Sequence, residues 1–93
     1  MQNTLSFSVA LELLKQGKRV TREGWNGKGM SIFLVDGSAF HVNRKPLLGI
    51  YPAGATIFYR GHIDMKTVDG SIVPWVASQT DLLACDWMET EEA

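Results

Sequence analysis

The sequence predicts a small α+β domain, a mostly antiparallel twisted sheet of about five strands with an N-terminal helix and a short C-terminal helix. Three observations predict it. Apolar residues recur at helical spacing between Phe7 and Leu14. Two apolar runs are each broken by an Asp-Gly pair, at 36–37 and 69–70. A Ser-x-x-Asp sequence, Ser78 to Asp81, stands ahead of a leucine pair. Ninety-three residues hold one core, so the whole chain, 1–93, is expected to be a single domain. Its folded part should span about 5–88, with an acidic tail at 89–93 that frays.

Ser6 is expected to cap the first helix. Phe7, Ala10, Leu11 and Leu14 then form one apolar stripe, and Gly17 ends the pattern. Leu5 precedes the cap, where it can staple onto Ala10. Met30 to Val35 is an almost unbroken apolar run, and Asp36-Gly37 joins it to Ser38–Asn43. A two-residue loop there predicts a hairpin with Phe33 opposite Phe40 and Ile32 opposite His41. Residues 44–55 contain Pro46, Gly49, Pro52 and Gly54 and read as a loop tethered by Leu47, Leu48, Ile50 and Tyr51.

A second hairpin is expected around Asp69-Gly70. A two-residue loop would pair Val68 with Ser71, Lys66 with Val73 and Asp64 with Trp75. Facing residues share one side of a sheet, so His62, Asp64 and Lys66 would ring the Trp75 indole. Pro74, opposite Met65 in this register, should lie at an edge or a bulge. The capping box predicts a short helix through Leu82, Leu83 and Ala84, followed by Trp87 in a closing strand.

Composition excludes several classes. Hydrophobic content of 45% argues against disorder. The single cysteine, Cys85, leaves no internal disulfide and no multi-cysteine zinc cluster; it should be packed behind Leu82-Leu83-Ala84 and inert. No stretch of 18 apolar residues is present, and the N-terminus has no basic-then-apolar leader, so a cytoplasmic location without membrane contact is expected. Charge is segregated. Residues 1–66 carry nine bases and four acids, +5, whereas 67–93 carry six acids and no base, −6. The two ends could pair between subunits, or the basic part could face an anion. A broad nucleic-acid footprint would need more net positive charge.

Chemistry concentrates at Gly24-Trp25-Asn26-Gly27-Lys28-Gly29. Glycine permits close backbone approach, Trp offers a π face and Lys a mobile positive charge, a set suited to a flat, small anion such as a nucleotide. The spacing is not that of a P-loop. Trp25 reads either as a core anchor or as a ligand wall, and its flanking turn residues favour the wall. Lys28 and Arg22 read as phosphate contacts or as solvated surface charges. Trp75 and Asp64 read as a cross-strand packing pair or as a stacking and ribose-binding pair, with Lys66 available to a phosphate. Ser78 and Asp81 read as capping residues, and Gln79 is free to reach a ligand. His41 and His62 accompany no metal-binding pattern, and no nucleophile has a base beside it, so neither metal, cofactor nor catalysis is expected.

In order along the chain, the helix ending Leu-Lys-Gln-Gly-Lys, Arg22-x-Gly24-Trp25-Asn26-Gly27-Lys28-Gly29-Met30, His62-Ile63-Asp64-Met65-Lys66 and Trp75-x-x-Ser78-Gln79-x-Asp81-Leu82-Leu83-Ala84-x-Asp86-Trp87 resemble the Thoeris anti-defence protein 2 family of phage and prophage proteins. The resemblance spans roughly residues 5–88, and Cys85 departs from it, standing where an acid is expected. It implies a non-enzymatic sponge that sequesters the cyclic ADP-ribose-type signal of the Thoeris bacterial immune system, keeping the effector silent. It further implies a homotetramer with pockets between subunits and, in some members, cyclic dinucleotides held at a separate site. Carried over by motif, Trp25 and Trp75 are the aromatic walls, with Asn26, Lys28, Asp64 and Gln79 chosen as polar contacts from the turn and face arguments. Two other classes compete: a nucleotide-processing enzyme, and a phage structural or nucleic-acid-binding module.

Overall fold

The N-terminal helix forms over Phe7–Lys15 (α1), and the Ser6 hydroxyl accepts from the Val9 N–H as its cap. The computed structural model describes residues 5–25 and 29–91. After α1 come β1 (Arg19–Arg22), β2 (Ser31–Val35), β3 (Ser38–His41), β4 (Thr56–Tyr59), β5 (His62–Lys66), β6 (Ile72–Pro74), α2 (Gln79–Leu83) and β7 (Trp87–Thr90), with a 3-10 turn at Leu47–Gly49. Five of these strands form one antiparallel sheet in the order β6-β5-β2-β1-β7. The α+β fold with one helix at each end is as the sequence predicts.

One face of the sheet carries the core. Ala10 and Leu14 of α1 meet Val20, Ile32 and Trp87, all with no exposed surface. Phe7, Ile63, Met65 and Trp75 pack around them. Burying side chains of this size contributes roughly 1.5–3 kcal/mol each, so this cluster dominates the stability of the body. Leu5 is tied to Trp87 by two backbone hydrogen bonds of 3.1 Å, which brings the start of the chain onto the last strand. β7 pairs with β1 from Trp87 to Thr90, and the Arg19 guanidinium donates to the Glu91 carbonyl. Residues 89 and 90 are therefore part of the sheet rather than a frayed tail, and Glu91 is bonded to it through Arg19.

The first hairpin is not formed at Asp36-Gly37. β2 pairs with β5, setting Phe33 opposite Asp64 and Ile32 opposite Met65, while β3 pairs with β4, setting Phe40 opposite Ile57 and His41 opposite Thr56. Both pairings keep one register: Val35 faces His62 and Ser38 faces Tyr59. β2–β3 and β4–β5 thus make a single long ribbon, interrupted at Asp36-Gly37 and Arg60-Gly61. The glycines serve close approach there. A Cβ on Gly37 would stand 2.9 Å from the Tyr59 carbonyl oxygen and 3.2 Å from the Gly61 nitrogen, and one on Gly61 would stand 3.2 Å from the Val35 carbonyl oxygen. The outer half of the ribbon projects as an arm, giving the chain dimensions of 52 × 26 × 24 Å. The loop at its tip is not tethered as expected, since Leu48, Ile50 and Tyr51 are all exposed.

The second hairpin forms, but one residue out of the expected register. Thr67 faces Ser71 through a 2.8 Å hydrogen bond, and Gly70, at φ 91°, donates back to the Thr67 carbonyl. This is a three-residue loop with glycine in the left-handed position. Asp69 fixes it: one carboxylate oxygen accepts from the Ser71 N–H at 2.9 Å and the Thr67 hydroxyl at 2.6 Å. Those bonds hold the Asp69 carboxyl down at about 2. Asp64 consequently faces Pro74, on edge strand β6, and Trp75 falls beside Ile63. A one-residue slip turns every side chain to the other face.

Replacing Gly37 with Ala is expected to lower the free energy of unfolding by about 1–3 kcal/mol, because its only near neighbours are main-chain atoms. Gly49→Ala, which meets nothing within 4 Å, should change it by less than about 0.5 kcal/mol. Urea titration of the two variants makes the comparison; equal stability would show that the ribbon relaxes around an added methyl.

Candidate functional site

β1 ends at Arg22, and Gly24 and Trp25 follow it outside the strand, bonded to Asp86 and Asp81. The Arg22 guanidinium is shared between two acids. Its Nε donates to Asp86 Oδ1 at 2.8 Å and its Nη1 to Asp81 Oδ1 at 2.8 Å. Asp86 Oδ2 also accepts from the Gly24 N–H at 2.8 Å, which sets the direction in which the chain leaves the strand. Asp81 Oδ1 takes a second donor, the Trp25 indole N–H at 3.1 Å. Arg22 and Asp81 side chains are each 14% exposed, so these contacts lie largely out of water.

The capping role read for Ser78 and Asp81 is present. The Ser78 hydroxyl accepts from the Asp81 N–H at 3.0 Å, and Asp81 Oδ2 accepts from the Ser78 N–H at 3.4 Å. The Asp81 carbonyl accepts from the Trp87 indole N–H at 2.9 Å. A single residue therefore caps α2, binds Arg22 and holds two indoles.

Three tryptophans and a phenylalanine gather above this network. Trp25 stands edge-to-face against Trp87 with centroids 5.2 Å apart, and Trp75 does the same from another side at 6.1 Å. Phe7 lies 5.2 Å from Trp87 and 6.0 Å from Trp75. Trp87 is fully buried, whereas Trp25 and Trp75 are only partly covered. The two indoles singled out in the sequence, fifty residues apart, thus converge on a third.

Charges shift accordingly. The hydrogen bond to Asp86 is the largest effect raising the Arg22 pKa, with Asp81 adding to it. The Arg22 hydrogen bond pulls the Asp86 carboxyl below its usual range, helped by the Gly24 N–H. Burial pushes Asp81 up, but the donors Trp25, Arg22 and Ser78 outweigh it and leave the pKa lowered.

The remaining candidates separate. Asp64 and Lys66 alternate with the core-facing Ile63 and Met65, so they lie on the sheet face opposite Trp75. The expected ring of polar groups around the Trp75 indole does not form, because the three-residue loop shifts β6 by one position. Asp64 instead meets His62, at 3.4 Å, and the Lys66 ammonium donates to the Gly29 carbonyl at 2.8 Å, anchoring the far end of the Gly24–Gly29 segment. Gln79 is exposed on the first turn of α2. Asn26 and Lys28 lie outside the described residues. Cys85 is exposed, not packed, and the Leu82-Leu83 pair expected to cover it is itself exposed. Among the described residues no cluster of His, Cys, Asp or Glu could hold a metal ion, and no helix is long and apolar enough to cross a membrane. A concavity of about 330 Å³ lies at the arm tip, lined by Phe40, Val42, Arg44, Lys45 and Leu47 among others.

Sequence reasoning did not find Asp86 as a partner of Arg22. Its signal was the charge segregation: the six acids of the last third, with no base among them, are free to fold back on a cation in β1 within one chain.

Arg22→Ala is expected to cost about 2 kcal/mol of stability, since it strands two partly buried carboxylates. Arg22→Lys should recover only part of that, for lack of a planar fork. A carboxyl held low only in the folded state takes up a proton on unfolding. The stabilisation from Asp81 and Asp86 is therefore complete above the free carboxyl value of about 4 and is lost as pH falls below it. Thermal melts from pH 7 to pH 2.5 should show that loss below about pH 4, with a shallower acid limb in Arg22→Ala. Parallel curves for the two proteins would count against the network.

The model of the Thoeris anti-defense 2-like domain matches residues 5–90. A protein of Bacillus phage SP01 named Thoeris anti-defense 2 is 43% identical over 90 residues, covering 94% of this chain and 96% of its own length. With the family model spanning nearly every described residue and a relative of that identity end to end, the chain belongs to the Thoeris anti-defense 2-like family.

Proposed function

We propose that this protein is a phage anti-defence sponge, a non-enzymatic binder that captures a cyclic ADP-ribose-type signal in the cytoplasm of the host cell and keeps it from its effector. Family membership supports the anti-defence role. The observation that carries the binding reading is the convergence of Trp25 and Trp75, both partly exposed, on the buried Trp87 beside the Gly24–Gly29 segment. Two indoles braced in this way offer stacking surface to a base. Neutralising a signal requires tight binding and no turnover, and that is what such a surface provides.

In this reading Trp25 and Trp75 are the walls, and Asn26, Lys28 and Gln79 supply polar contacts from the adjoining turn and helix. Arg22 acts behind Trp25 through Asp81 rather than on a phosphate. Asp64 and Lys66 face away from the indoles and enter a pocket only if a second copy brings one. A homotetramer is the assembly proposed. The arm supports it, for it exposes Phe58 at 79%, Ile50 at 69% and Tyr59 at 57%. Its residues 38–61 hold Arg44, Lys45 and Arg60 and no acid, complementary to the acidic last third of a neighbour. For cyclic dinucleotides, a separate place is offered by the arm-tip concavity, where Arg44, Lys45 and Phe40 supply cations and a ring.

Trp25→Ala should abolish binding of cyclic ADP-ribose isomers in calorimetry while far-ultraviolet circular dichroism stays native; retained binding would refute this site. Incubating the wild-type protein with the bound isomer and then denaturing it by heat should release the nucleotide unaltered. A cleaved product would establish an enzyme instead, and strongly salt-dependent retention on single-stranded DNA a nucleic-acid-binding module.

A further inference from the structure

Asp81 sits within a capping box, and that position alone explains its contacts with Ser78. It does not explain why the same carboxylate is also the acceptor for Trp25. One oxygen, Oδ1, receives Arg22 Nη1 at 2.8 Å and Trp25 Nε1 at 3.1 Å, while Oδ2 is turned to the helix cap. The guanidinium keeps the carboxylate from rotating away, because Arg22 is itself clamped by Asp86. The Trp25 ring is held by this hydrogen bond and by the edge-to-face contact with Trp87. Together they restrain the rotation of an indole that lies just beyond the end of β1.

We propose that Asp81 is a positioning residue for ligand capture: it holds the Trp25 indole at one angle before the guest arrives. The proposal rests on the sequestration reading above. A wall set in advance spares the ordering of a mobile aromatic side chain on binding, and so raises affinity without touching the ligand. Asp81 thereby links the α2 cap, the Arg22 clamp and the stacking surface through one carboxylate.

The test is a cycle of Asp81→Ala, Trp25→Phe and the double variant, titrated with a panel of cyclic ADP-ribose isomers, with Ser78→Ala as the control for the cap alone. Trp25→Phe keeps a ring but has no N–H for Asp81 to hold. The expected result is that Asp81→Ala weakens binding about tenfold in the wild-type background and less than about twofold in the Trp25→Phe background. Ser78→Ala should leave affinity within about twofold of wild type. Equal losses in both backgrounds would overturn the proposal, since a merely structural role does not depend on the indole N–H. The same proteins are read without ligand by the Trp25 indole ¹⁵N–¹H resonance, assigned as the one missing in Trp25→Phe. It should move and exchange faster with solvent in Asp81→Ala and stay put in Ser78→Ala; an unmoved resonance in Asp81→Ala overturns the proposal. If Asp81→Ala does not fold, Asp81→Asn runs the same cycle at smaller amplitude. A wild-type protein that binds no isomer sinks the sequestration reading, and the resonance then still decides whether Asp81 orients Trp25.

Discussion

The pairing of Arg22 with Asp81 and Asp86 adds to the β1–β7 ladder a side-chain link from the end of β1 to α2. Arg22 closes β1, Asp81 opens α2, and Asp86 directly precedes β7. Each hydrogen bond also fixes a neighbour. Asp86 steers the exit of the chain at Gly24, and Asp81 holds Trp25 from its side chain and Trp87 from its carbonyl. Exposed ion pairs contribute little to stability, but a guanidinium shielded from water with both acceptors in place specifies geometry as well as energy. The aromatic cluster stands on that geometry.

Two kinds of indole use are combined here. Trp87 is structural, with no exposed surface and its N–H bonded to a main-chain carbonyl. Trp25 and Trp75 are half-covered and lean on it. The polar faces run separately. His62, Asp64 and Lys66 occupy the side of the sheet that carries no helix, and Lys66 donates to the Gly29 carbonyl. The protein thus presents an aromatic side and a charged side, joined at the ends of one glycine-rich segment.

Much of the fold was legible because it depends on local signals. The stripe Phe7, Ala10, Leu14 and the cap at Ser6 define α1, and the Ser78–Asp81 box defines α2. The strands of the second hairpin were legible too, but not its register. Asp69 and Gly70 alone suggest a two-residue loop, while the bonds from Thr67 and Ser71 to Asp69 select a three-residue one. Asp36-Gly37 misled for a different reason: a glycine needed for close backbone approach leaves the same trace as one needed for a turn, and its partner Gly61 lies far along the sequence. Trp25 and Trp75 were legible as candidates from their turn and strand settings. The acid that holds Trp25 was not, since capping already accounted for Asp81.

The unbroken register of the ribbon has a consequence for how such chains can vary. Because the outer rungs carry no helix above them, their number is not set by the core. Adding one matched residue to each strand beyond Gly37 and Gly61 would advance the tip by about 3.4 Å and leave every body rung in place. Because side chains alternate faces, an even number of added pairs keeps the distal faces as they are, whereas an unmatched insertion must bulge or slip one strand against the other. Reach is therefore a dimension that mutation can tune in fixed steps, independently of the aromatic surface at the other end.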